Sequence, residues 1–112
     1  MWVGDNSPGV HLQVTDETYE GTQETVLNLT GDTIEVQFIG TDFEFSGDGA
    51  VIWPATVDPN GVNFWNCSYT FAEGDTAYAD TYAIFVTTTN DGNVTTYATG
   101  DTLTIKAFPV TA

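Results

Sequence analysis

One histidine, one cysteine and sixteen carboxylates are the side chains of this 112-residue sequence best suited to acid–base, nucleophilic or metal chemistry. A hydrolytic triad needs a nucleophile, a base and a third group that orients the base. His11 alternates with Val10 and Leu12, so it takes the polar face of a strand and reads as a surface histidine. Cys67 falls between Trp65 and Tyr69 at apolar spacing. A buried thiol there behaves as a small hydrophobe. Neither residue has an identifiable partner, so no catalytic residue is assigned and no enzyme is expected.

The acidic residues are scattered through turns, where close pairs arise by chance. Calcium would take oxygen ligands from such loops. Asp16-Glu17, Asp48, Asp58-Pro59-Asn60 and Asp91-Gly92-Asn93 are the candidates, but none follows the spacing of a calcium-binding loop. Solvated acidic turns are the expectation, with no cofactor and no metal site. Three N-x-S/T triplets begin at Asn28, Asn66 and Asn93. Asn66 falls within a strand and Asn93 in a turn, so only Asn93 suits a glycan.

Charge is the strongest compositional signal. Sixteen acids face a single Lys and no Arg, a net charge of -15. Such self-repulsion weakens a compact state in dilute salt. At molar salt the screening length falls to about 3 Å and the repulsion fades. The composition fits either adaptation to very high salt or a solubilising surface, and the near-absence of cations favours the first. Nothing here neutralises phosphates, so nucleic acid is not an expected partner. No apolar run is long enough to span a bilayer as a helix, and no membrane partner is expected. Residues 1–5 lack the basic and apolar regions of a signal peptide. A single cysteine makes no intrachain disulfide.

The elements that would position these groups are strands. Alternation over four to eight residues recurs, broken by Gly, Asp, Asn and Pro, and helical periodicity is absent. Strands are expected around 10–14, 26–29, 34–38, 51–53, 62–71, 82–87, 94–97 and 103–107. Asp58-Pro59-Asn60-Gly61 and Asn90-Asp91-Gly92-Asn93 read as turns. Short strands at this spacing predict an all-β sandwich or barrel of about seven or eight antiparallel strands. Trp65, Tyr69, Ile84 and Val86 are expected in its core. Residues 1–9 read as a flexible N-terminal arm and 10–112 as one domain.

The order of signals resembles a known family. Trp2-Val3-Gly4-Asp5 leads into a strand, followed by Val26-Leu27-Asn28-Leu29-Thr30-Gly31-Asp32-Thr33. Gly61-Val62, the 65–71 strand, Glu73-Gly74-Asp75-Thr76 and Asp80-Thr81-Tyr82 come next, then the Asp91-Gly92 turn. This pattern is similar to the small immunoglobulin-like domain at the N-terminus of upper-baseplate (BppU-type) proteins of tailed viruses. Asp80 stands where that family usually has Gly before Thr-Tyr.

The resemblance implies an immunoglobulin-like β-sandwich without catalytic residues. It also implies a place in the virion, as a module on the capsid or in the neck or baseplate. With the acidic composition, it suggests a virus of salt-loving archaea. Its partners would be other virion proteins, capsid or tail subunits, with many copies or a homo-oligomer in the particle. Trp2, Val3, Phe108 and Pro109 are the candidate contact residues. A carbohydrate- or cell-surface-binding module, with Trp53, Phe43 and Tyr78 as its platform, is the alternative. A calcium-stabilised domain of a larger surface protein is a third.

Overall fold

The computed structural model describes residues 1–6, 9–17, 24–61 and 64–107. Its strands are β1 (Val10–Leu12), β2 (Thr15–Glu17), β3 (Glu24–Val26), β4 (Thr33–Ile39), β5 (Glu44–Asp48), β6 (Ala50–Val57), β7 (Phe64–Tyr69), β8 (Asp80–Asn90) and β9 (Asn93–Ile105). One sheet has the order β1-β7-β6, the other β5-β4-β8-β9, and β2-β3 form a separate ribbon. Every strand pairing in them is antiparallel.

The alternation read from the sequence sets the packed faces. Ile34, Val36 and Phe38 of β4 and Tyr82, Ile84 and Val86 of β8 are buried, with Val36 opposite Val86 and Phe38 opposite Ile84. Leu12, Cys67 and Tyr69 meet them from the other sheet. The chain changes sheets at Gly49. A Cβ there would come within 2.9 Å of methyl groups on both Ile34 and Val36, so only glycine passes. At the start of β8 the Tyr82 hydroxyl donates to the Tyr78 carbonyl, 2.9 Å away. That is the tyrosine corner of immunoglobulin-type sandwiches. Ile84 holds the position, two residues on, where antibody domains carry the second half of their inter-sheet disulfide. With β1, β7 and β6 facing β5, β4, β8 and β9, the molecule is an all-β sandwich of immunoglobulin type.

Several expectations need correction. Asp16-Glu17, expected in a solvated acidic turn, belong to Thr15–Glu17, which pairs with Glu24–Val26. The last two expected strands are one: β9 runs unbroken to Ile105, with extra residues absorbed opposite Ile84, where Gly100 has a φ of 78°. The β6 strand continues through Pro54 to Val57, and its register with β7 slips between Val51 and Thr56. Trp65 is half-buried rather than in the core, and its ring lies over the exposed His11 ring at 4.6 Å. Alternation fails there because Asn66 and Cys67 are both buried in succession.

Met1–Asp5, expected as part of a loose arm, are laid along the end of β9. Trp2 forms a parallel bridge with Lys106. The Val3 N–H donates to the Lys106 carbonyl and the Lys106 N–H to the Met1 carbonyl, each at 2.8 Å. The Thr76 hydroxyl donates to the Asp5 carbonyl. Because β8 takes one side of β9, this short strand occupies the other side.

Candidate docking interface

The isolated chemical residues stay apart in the fold. His11 is exposed on β1, with Trp65 as its ring neighbour. Cys67 is fully buried, and burial pushes its thiol up to about 11. A thiol so raised holds almost no thiolate at neutral pH, so it is a poor nucleophile. Among the described residues, no three His, Cys, Asp or Glu side chains stand close enough to hold a metal ion.

The polar side chains with several partners hold the chain in place. The Asp80 carboxylate accepts from the backbone N–H groups of Asp42, Thr81 and Thr41. Those bonds, that of Asp42 foremost, hold its carboxyl below the usual range. Asp80 thereby fixes the β4–β5 connection. A Cβ at Gly40 would collide with its carboxylate. The resemblance placed a glycine where Asp80 stands; here the carboxylate has a loop to anchor. Asp75 accepts from the Tyr69 hydroxyl and the Ala72 N–H. Asn66 is buried, so its triplet offers no glycan site in the folded chain, whereas Asn28 and Asn93 are exposed.

What remains accessible is surface. Phe43 and Tyr78 stack face to face at 4.0 Å between ring centroids, and both are exposed. Trp53 is also exposed, but on β6. The three aromatics expected as one platform therefore resolve into a stacked pair and a tryptophan on a different strand. A depression of about 250 Å³ opens between β4 and β5, with Gln37, Ile39 and Glu44 on its wall.

Among the described residues, the four edges of the two packed sheets differ sharply. An open edge exposes unpaired N–H and C=O groups and invites another strand. β1 is only 3 residues long. β5 has 5 residues and carries Glu44 and Asp48. β6 contains Pro54, which has no N–H to offer, and an irregular register. β9 has 13 residues and one charged side chain, Asp101. Its solvent-facing side continues that neutrality across β8: Val94 stands opposite Thr89, Thr96 opposite Thr87, Ala98 opposite Phe85 and Thr102 opposite Ala83. The Thr87 and Thr96 hydroxyls are hydrogen-bonded at 3.1 Å. On a chain of net charge -15, this is a charge-free surface that ends, among the described residues, in an open edge from Val94 to Ala98.

Of the expected contact residues, Trp2 and Val3 lie beside the far end of that edge. Trp2 is 38% exposed, while Val3 is half-buried and packs against the core. Phe108 and Pro109 lie outside the described residues. Sequence reasoning missed the edge itself. The signal was available in the run 93–100, which holds no charged residue, but reading it as two strands hid its length.

No family model matches the chain, and neither a curated protein nor a solved structure shows significant similarity to it.

Proposed function

We propose that this chain is a non-catalytic docking module of a virus particle, set on the capsid or in the neck or baseplate of a tailed virus that lives in strong brine. The observation that carries the docking role is the 93–100 stretch of β9, which holds no charged residue, and its neutral face on an otherwise acidic molecule. Among the described residues, the other edges of the two packed sheets are short, carry two acids or contain a proline, whereas residues 93–100 of β9 run before its bulge with neither charge nor proline. The motif resemblance and the acidic composition support the virion setting. The partners are capsid or tail subunits and further copies of the chain, held by neutral strand and Thr-rich surface rather than ion pairs. Exposed ion pairs contribute little, least of all in high salt.

Particles produced with and without the gene test this. The chain should be found in purified particles by mass spectrometry, and added protein should bind particles that lack it. Its absence from purified particles overturns the proposal.

A second reading rests on the Phe43–Tyr78 stack. The stacked rings are both exposed, a surface on which a sugar ring could lie. Tight glycan binding that is lost in Tyr78→Ala, without particle binding, would favour this reading.

A further inference from the structure

We infer that a second copy of this chain pairs with it along β9, antiparallel, about a two-fold axis at Thr96. This rests on reading β9 as the docking edge and names its partner.

Ladder geometry assigns the free groups. Asp91 and Gly92 both have positive φ, 49° and 81°, as a two-residue hairpin turn of this type requires. Asn90 and Asn93 flank it and are the hydrogen-bonded pair that closes such a turn. Hydrogen-bonded and non-bonded pairs then alternate along the ladder. The N–H and C=O groups of Val94, Thr96 and Ala98 therefore point away from β8. The other end of β9 agrees with this parity. There the Thr104 carbonyl accepts from the Met1 amine, and the Lys106 N–H donates to Met1. Met1–Val3 thus guard the edge near its end, and among the described residues no strand covers it from Val94 to Ala98.

Charge chooses the occupant. A basic strand would find no carboxylate between Val94 and Ala98 to meet it. An unrelated acidic strand would bring charges of its own onto a chain of -15. A second copy brings an identical neutral edge, and its register is self-complementary. Thr96 meets Thr96 of the second copy, and Val94 meets Ala98. The interface is isologous and closes at two copies. Asp91 and Asp101 bracket the segment, so like charges approach one another at both ends. Pairing should therefore tighten as salt is raised.

Sedimentation in multimolar salt tests this. The unmodified chain should run at twice its monomer mass. Thr96→Pro removes an N–H that faces solvent in the monomer, a place where an edge strand tolerates proline. It should raise the dimer dissociation constant by about tenfold or more. Should that variant fail to fold, as judged by circular dichroism, Thr96→Cys decides. Opposed residues on such a ladder lie about 5.5 Å apart between Cα atoms, within disulfide range. Mild oxidation should link Thr96→Cys into a covalent dimer, while Glu44→Cys on the β5 edge forms no covalent dimer. A chain monomeric at every concentration overturns the pairing, as does Thr96→Cys that fails to cross-link. A monomer that still binds particles overturns the pairing and leaves the docking role intact. A dimer that binds no particle does the reverse.

Discussion

Asn66 grips Val14 at both backbone groups. Its side-chain oxygen accepts from the Val14 N–H and its amide donates to the Val14 carbonyl, each at 2.8 Å. The second amide hydrogen goes to the Leu27 carbonyl, also at 2.8 Å. One buried side chain thus replaces a strand partner at the root of the β2–β3 ribbon, where the chain leaves β1. Both amide hydrogens and the oxygen are used, which is what lets a polar side chain remain buried.

Asn66→Ala should therefore be costly. It leaves the Val14 N–H and the Leu27 carbonyl without their partner, while the Val14 carbonyl keeps the Leu27 N–H; the cost is about 1–3 kcal/mol for each orphaned group that water cannot reach. A total loss of about 3 kcal/mol or more is expected in denaturant unfolding. A loss below about 1 kcal/mol would mean that the ribbon root opens to water.

Cys67 and Tyr69 make stability depend on alkaline pH. Burial raises the Cys67 thiol from 9.0 to about 11. Burial, with the neighbouring Asp75, also raises the Tyr69 hydroxyl. Above about pH 9 the unfolded chain releases its thiol proton while the folded chain keeps it. The unfolded state then binds fewer protons, so stability falls as pH rises, by roughly 1 kcal/mol per pH unit until about pH 11. Cys67→Val should flatten the cysteine part of this slope. A thiol reagent at pH 8 should label the chain only after unfolding, and fast labelling of the native protein would contradict the burial.

Phe38 and Trp65 separate the two sheets' contributions. Phe38 is fully buried and stacks on Phe45 at 4.5 Å, whereas Trp65 is half-buried against an exposed histidine. Phe38→Ala should cost about 3–5 kcal/mol, the usual loss for a buried aromatic. Trp65→Ala should cost clearly less, because water already reaches part of the ring. Equal losses in thermal or denaturant unfolding would place Trp65 in the core after all.

The same pair of residues shows where the sequence is legible. Period-two alternation located Ile34, Val36, Phe38, Tyr82, Ile84 and Val86 because both strands are regular and one face of each is packed. It failed at Trp65, because Asn66 is drawn inward by a backbone need fifty-two residues away, and no local pattern encodes that. Asp91-Gly92 announced its hairpin through φ preference alone. The openness of β9 was not legible, since an edge is defined by the strands that are missing beside it. The arm from Met1 looked loose for a related reason. Its partner, Lys106, is at the other end of the chain, and Gly4 with Pro8 suggests no strand.

Salt should govern folding as well as pairing. The acids are spread over exposed strands and turns, among them Glu35, Glu44, Asp48 and Asp91, and the single Lys106 can offset one of them at most. Folding brings these charges closer together than they are in the extended chain, so the native state carries the larger repulsion. At low ionic strength the screening length is about 30 Å, comparable with the shorter dimensions of the molecule, 34 and 25 Å, so every carboxylate feels most of the others. In molar salt it is about 3 Å and only neighbours interact. The thermal midpoint should therefore rise steeply with KCl and keep rising after ordinary saline, because excluded salts also strengthen apolar burial. Replacing KCl by uncharged sucrose separates the two effects, since sucrose strengthens burial without screening. Recovery of stability by sucrose alone, or the same midpoint in dilute and multimolar KCl, would remove charge repulsion as the cause and with it the case for a protein adapted to brine.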